Sequence, residues 1–230
     1  MNLLTLSSSK IDISNKNKVE WQSCILYLLP HKMSGKQVCP SSSHGCRSTC
    51  LNWTGRGRTN LVQNARLRKT NLFFDDRSKF TEMLYDDVVK FEKKCQKLGK
   101  KPAIRINGTS DLDIPKLFPE LFINHPNIKF YDYTKIFNRY MRFLNNELPS
   151  NYHLTFSRHE NNHEQSLQAL HQGGNVAVVF RDKNIPKKWN GFKVISGDTH
   201  DLRFLDRKNS VVGLYAKGRA KHDTTGFVVD

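Results

Sequence analysis

The chain has no hydrophobic run long enough to cross a bilayer as a helix. Its longest, Cys24-Ile25-Leu26-Tyr27-Leu28-Leu29, stops at Pro30, far short of the roughly 20 residues a helical span needs. No membrane partner is expected. The start, Met1 to Leu6, carries no basic residue ahead of its apolar ones and runs at once into Ser7-Ser8-Ser9-Lys10, so it reads poorly as a secretory leader and the expected location is the cytoplasm. An even complement of cysteines is also missing: there are five, which argues against a closed disulfide framework. Acidic residues are scarce. Between Trp21 and Phe74 there are none, against eight Lys and Arg, and the 230 residues carry a formal charge of +16.

What is present is enough for a core. Apolar residues make up 37% of the chain, and Phe, Leu, Val and Ile fall in short clusters, which excludes global disorder. Residues 1–20 are polar and read as a loosely held arm or an edge segment, followed by a single α/β domain over 21–230. Ile25–Leu29 reads as a first buried strand. From Asp76 to Gly99, Phe80, Leu84, Val88, Phe91, Cys95 and Leu98 advance by three or four residues, one stripe of an amphipathic helix closed by glycine. After Pro102, strands at 103–107, 128–132, 152–156, 175–180, 192–195 and 211–215 alternate in part with helices at 115–124, 136–146 and 162–172. That alternation predicts parallel βαβ units, about six or seven mainly parallel strands in a partial or distorted (β/α) barrel.

The residues with the most chemistry lie in a loop over 31–57, where the spacing is Cys39-x6-Cys46-x3-Cys50. Cys46 and Cys50 share one face of a helical turn, and Pro40, three serines and Gly45 allow Cys39 to turn back toward them. Three thiolates suit zinc, copper(I) or an iron–sulfur cluster. Zinc would need a fourth ligand, for which His31 or His44 is at hand. A cluster on three cysteines would be [4Fe–4S], or [3Fe–4S] if the open iron is lost, with Cys24 and Cys95 as structural thiols. In a barrel the loop would sit at the carboxyl-end face. Polar strand ends would meet it there: Asn107, Ser110, Asp111, Asp132, Thr134, Lys135, Ser157, Arg158 and Arg203 are the expected lining of a pocket where the open iron takes a small ligand.

Other signals are weaker. Asp111, Asp132, Glu160, Asp198 and Asp201 could serve magnesium chemistry, but no pair has a diagnostic spacing. Arg105 and Arg203 interrupt apolar strands and call for carboxylate partners, for which Asp111 and Asp132 are candidates. Lys217, like Lys135, follows a strand and is a candidate pocket lysine. His159 and His163, four residues apart, are a candidate metal pair. A different function class, a basic nucleic-acid-binding protein with a structural zinc or iron–sulfur site, would use Arg56, Arg58, Arg66, Arg68 and Lys69.

The segments Val38–Pro40, Gly45-Cys46, Cys50-Leu51, Gly55–Gly57, Arg66–Thr70, Leu72–Phe74, Asn107–Asp111, Phe130–Lys135, Tyr152–Ser157, Asn175–Phe180, Asp201–Asp206 and Gly226–Val229 resemble the gene product 88 family of phages and plasmids. The resemblance runs from about residue 24 to 229 and implies the host bacterial cytoplasm as location. A cysteine loop before a partial barrel is also similar to the radical-SAM superfamily, although the spacing there is Cys-x3-Cys-x2-Cys. That likeness implies a [4Fe–4S] cluster whose open iron binds S-adenosylmethionine.

Overall fold

The computed structural model describes residues 1–230. Its strands are β1 (Leu4–Thr5), β2 (Trp21–Leu26), β3 (Lys101–Arg105), β4 (Lys129–Thr134), β5 (Tyr152–Ser157), β6 (Val176–Phe180), β7 (Lys188–Trp189), β8 (Phe192–Ser196), β9 (Val211–Tyr215) and β10 (Val228–Val229). The α-helices are α1 (Ser9–Asn17), α2 (His44–Ser48), α3 (Asn60–Asp75), α4 (Arg77–Lys97), α5 (Ile114–Leu117), α6 (Pro119–Asn124), α7 (Phe137–Leu144) and α8 (His163–His171). All ten strands form one sheet in the order β1-β2-β3-β4-β5-β6-β9-β8-β7, with β10 beside β6. The pairs β1/β2 and β7/β8 are antiparallel and every other pair is parallel.

The expected α/β class and parallel sheet are present, but the sheet does not close: it ends in the short edge strands β1 and β7. The chain also inserts β9 between β6 and β8. At the carboxyl end a further substitution occurs. Phe156 and Ser157 of β5 pair with Val176 and Ala177 at the start of β6, whereas Val228 and Val229 pair with Val179 and Phe180 at its end. Since β9 occupies the other side of β6 throughout, β10 takes over the position that β5 vacates.

Side-chain alternation explains how both faces are covered. Cys24 and Leu26 of β2, Ile104 of β3, Phe130 of β4, Leu154 and Phe156 of β5 and Val176 and Val178 of β6 enter one large core. The stripe Phe80, Leu84, Val88, Phe91 and Cys95 of α4 fills it from the helix side. Asp76 caps that helix by accepting the Lys79 N–H, and Gly99 leaves it at φ +62°. The opposite face carries Trp21, Ala103 and Tyr131 under Leu202 and Phe204.

Residues 1–20 are not a loose arm. Leu3, Leu4 and Ile11 are buried, β1 extends the sheet edge, and Ser14 Oγ accepts the Asp201 N–H at 2.8 Å. The polar composition of α1 had suggested otherwise because only two of its nine residues are buried.

Candidate functional site: a three-cysteine cavity at the strand ends

The cysteine loop leaves β2 and returns into α3, and its fold is fixed by contacts at both ends. Ser43 caps α2 by accepting the Cys46 N–H at 3.1 Å, and Glu160, just beyond β5, accepts the Gly45 N–H and the Ser43 hydroxyl, each at 2.7 Å. Gly45 has to be glycine: a Cβ there would lie 2.6 Å from Phe227 Cβ and closer still to Thr225 Oγ1. Cys39 is turned by Gln37, whose side-chain oxygen accepts the Cys39 N–H at 2.9 Å. Its sulfur accepts from the His31 N–H at 3.4 Å and lies 3.5 Å from the Thr109 carbonyl. Cys50 opens the 3-10 turn Leu51–Trp53.

All three cysteines border one cavity of about 200 Å³. Asn107, Ser110, Asp111, Lys135 and Ser157 line it from the strand ends, as the convergence of parallel strands requires. Burial pushes the Cys39 thiol up to about 12, with Cys50 and Cys46 adding to it, and raises Cys50 as well. Lys135 is the cation nearest this chemistry. Burial alone would lower its ammonium, but the Cys46 sulfur, within hydrogen-bonding reach, together with Asp111 and Cys39, carries it upward. It also donates to Ser157 Oγ at 2.9 Å.

The donor set bears on the metal. No group of three Cys, His, Asp or Glu side chains is placed to hold a single ion, whether of zinc or of iron. His44 is solvent-exposed, and His31 Nδ1 faces the Gln37 amide at 3.3 Å. A tetrahedral zinc needs its sulfurs about 2.3 Å from one point.

Four expected lining residues are not at the cavity. Asp132 is fully buried behind it, accepting the Asn107 N–H at 2.6 Å, the Asn107 amide at 3.0 Å and the Tyr152 hydroxyl at 2.9 Å. It shapes the 107–112 turn, and burial raises its carboxyl to about 7 despite those donors. Thr134 accepts the Ile136 N–H at 3.1 Å. Arg158 donates to the Gly226 and Phe227 carbonyls and so holds the carboxyl-terminal segment. Arg203 is completely buried beneath the cavity wall, 3.3 Å from Asp206. The apolar residues around it read as a strand, but it belongs to a 3-10 turn, Arg203–Leu205.

The five carboxylates singled out for magnesium are each held elsewhere. Asp111 accepts from Arg139 at 2.8 Å, Asp198 pairs with Lys217, and Asp201 takes both Lys10 and Arg105 at 3.0 Å. Arg105 thus finds Asp201 rather than Asp111 or Asp132. The cavity wall also includes Lys10, Tyr133, Asp198, Lys217 and Phe227. Of these, Tyr133, Asp198 and Lys217 follow or end strands legible in the sequence. Lys10 arrives from α1, and Phe227 from the segment that β10 anchors, both placed by long-range packing.

The basic segment is only half a surface, and Arg56 and Arg58 lie in a 3-10 turn, Gly55–Arg58, ahead of α3. Arg56, Arg58 and Arg68 are exposed, but Arg66 and Lys69 are 9% and 7% exposed and turned inward to Asn52 Oδ1 and the Leu3 carbonyl. The spacing His-Glu-x-x-His also occurs at 159–163, which on a helix would place both rings on one face. Here α8 begins only at His163, whose ring packs on Trp189 at 5.4 Å, while His159 Nδ1 accepts the Asn161 N–H at 3.2 Å. They form no metal pair.

Fold and site together define an α/β protein with a three-cysteine cavity at the carboxyl ends of an open, mostly parallel sheet. A family model described as Gene product 88 matches residues 3–230. The chain belongs to that family. No curated protein matches the chain, and no solved structure does, so the radical-SAM likeness has no support from these comparisons. No helix is long and apolar enough to cross a membrane.

Proposed function

We propose that Cys39, Cys46 and Cys50 hold one iron–sulfur cluster and that the chain is an enzyme which activates a small ligand in the adjoining cavity. The observation that supports this reading is the sharing of one cavity by three thiols from a single loop and by polar strand ends. When bound, such a cluster supplies one-electron chemistry and an iron with an unfilled coordination position. The protein's own contribution is placement. Asn107, its amide spent on Asp132 and the Leu112 carbonyl, accepts the Ser110 O–H and so presents the Ser110 oxygen as an acceptor, Lys135 offsets negative charge on the sulfurs and on a carboxylate or phosphate of the ligand, and Phe227 restricts water. S-adenosylmethionine is the first ligand to test, on the strength of the loop's likeness to the radical-SAM superfamily.

The test is anaerobic purification followed by iron and sulfide determination and an ultraviolet-visible spectrum. Iron and sulfide should be present together, and Ser at position 39, 46 or 50 should remove both while Ser at 24 or 95 should not. A colourless protein with stoichiometric zinc would reject the cluster. Titration of the reduced protein with S-adenosylmethionine, followed by its paramagnetic spectrum, then identifies or eliminates that ligand.

A further inference from the structure

A second concavity of about 430 Å³ lies on the other side of the cysteine loop, and it shares Ser42 and Lys135 with the cysteine cavity. Its floor is made by the first turns of α7 and α8. Neither helix has a side-chain cap. Ile136 has no polar group to offer, and Asn162 turns its amide back, accepting the His159 N–H at 2.7 Å and donating to the Ser157 carbonyl at 3.1 Å. The cleft is bordered by Phe137 and Asn138 in the first turn of α7 and by Gln165 in the first turn of α8, where helix N–H groups lack intrahelical partners.

A separate observation points to a ligand there. His159 is nine-tenths buried and lines the cleft. Its Nδ1 accepts the Asn161 N–H, which leaves the proton on Nε2, and Nε2 has no partner in the protein. Burial, reinforced by Lys135, lowers the ring to about 4, so at neutral pH it is a neutral donor aimed into the cleft. No Asp or Glu lines this space; Glu164, in the first turn of α8, is outside it.

The geometry points to an oxyanion site in this cleft, formed by Lys135, His159, the Ser41 hydroxyl and the starts of α7 and α8, which takes the phosphate of a small phosphorylated molecule. Donors approach from α7, from α8, from the end of β4 and from the cysteine loop. A tetrahedral phosphate can meet that many directions and a planar carboxylate cannot. Because Lys135 and Ser42 border both spaces, the remainder of the ligand would lie at the mouth of the cysteine cavity. The phosphate site itself stands whether or not the cysteines hold a cluster.

Calorimetric titration of the full chain with inorganic phosphate and with ribose 5-phosphate, in phosphate-free buffer, tests this. Both should bind saturably, ribose 5-phosphate more tightly, and peptides covering 136–140 and 161–166 should gain protection from hydrogen exchange. Ser41→Asp and Asn161→Asp, each adding a carboxylate at the rim without touching the core, should each weaken binding at least tenfold. Absence of saturation, equal binding by both variants, or protection elsewhere in the chain would overturn the assignment. Tighter binding of a single-stranded oligonucleotide with the same protection pattern would overturn the small-molecule ligand. Since heat and exchange are read directly, failure here is separable from failure to find iron.

Discussion

Glu160 and Gly45 are joined by a 2.7 Å hydrogen bond from a backbone N–H to a carboxylate, 115 residues apart in sequence. This contact, with the Ser43 hydroxyl on the other carboxylate oxygen, ties the cysteine loop to the end of β5. Glu160→Ala leaves the Gly45 N–H and the Ser43 hydroxyl without that partner and should cost about 1–3 kcal/mol. Gly45→Ala should cost at least as much, because the new methyl displaces Thr225 and Phe227. If the three cysteines hold the proposed cluster, both should also reduce the iron retained per chain. Urea titrations check the stability, and unchanged midpoints in both variants would remove the clamp from the account.

Asp201 is the hub of a buried charge cluster whose members Lys10, Arg105 and Tyr133 also line the cysteine cavity. It is 2% exposed and accepts from Lys10, Arg105 and the Tyr133 hydroxyl. Burial pushes its carboxyl up, but Lys10, Arg105 and Arg203 outweigh burial and hold it well below the ordinary range. Asp201→Asn leaves Arg105 buried without a counter-charge and should cost about 3–5 kcal/mol. It should also release α1, seen as faster hydrogen exchange over residues 9–17. The contribution of this carboxylate is present above its unfolded value near 4 and is lost as pH falls below it.

The parts of this molecule legible in the sequence are those set by local pattern. Seven parallel strands, the α4 stripe and the cysteine loop follow from period, punctuation and spacing. Parallel strands then bring Asn107, Ser110, Asp111, Lys135 and Ser157 to the cavity without further information. What could not be read were contacts fixed by long-range packing. Nothing local marks Lys10 as a partner of Asp201, or Arg203 as a residue of a 3-10 turn rather than a strand. The two-residue strands β1, β7 and β10 carry no periodicity of their own, and β10 is a strand only because β5 leaves a vacant edge on β6.

His153 makes stability depend on pH. Burial, together with Arg203, Lys129 and Lys208, lowers its ring to about 4, and its Nε2 is buried without a partner. The unfolded chain takes up the proton near 6.5. As pH falls from 6.5 toward 4 the unfolded state therefore gains relative to the folded one, by about 2 kcal/mol at pH 5. His153→Phe, which keeps the edge-on contact with Phe143, should flatten that part of the curve of melting temperature against pH. An identical slope in wild type and variant would exclude His153 as its source.

Arg66 and Lys69 separate a structural role from a nucleic-acid one within a single helix. Arg66 reaches the fully buried Asn52, two residues past Cys50, and its guanidinium lies 4.7 Å from the centre of the Tyr27 ring. Lys69 donates to the Leu3 carbonyl at 2.6 Å, and burial lowers its ammonium to about 8. Arg66→Ala and Lys69→Ala should each destabilise the fold by about 2–4 kcal/mol, the first also loosening the exit of the cysteine loop. Arg56, Arg58 and Arg68 are exposed, and replacing all three with Ala should leave stability nearly unchanged. If this surface contacts phosphates, the triple variant should also lower the slope of log affinity against log salt for a single-stranded oligonucleotide by about 2, since each lost contact removes roughly 0.7. Fluorescence anisotropy across a salt series measures that slope. The same slope in the triple variant and the wild type would take the nucleic-acid role away from this helix and leave its charge as surface solvation.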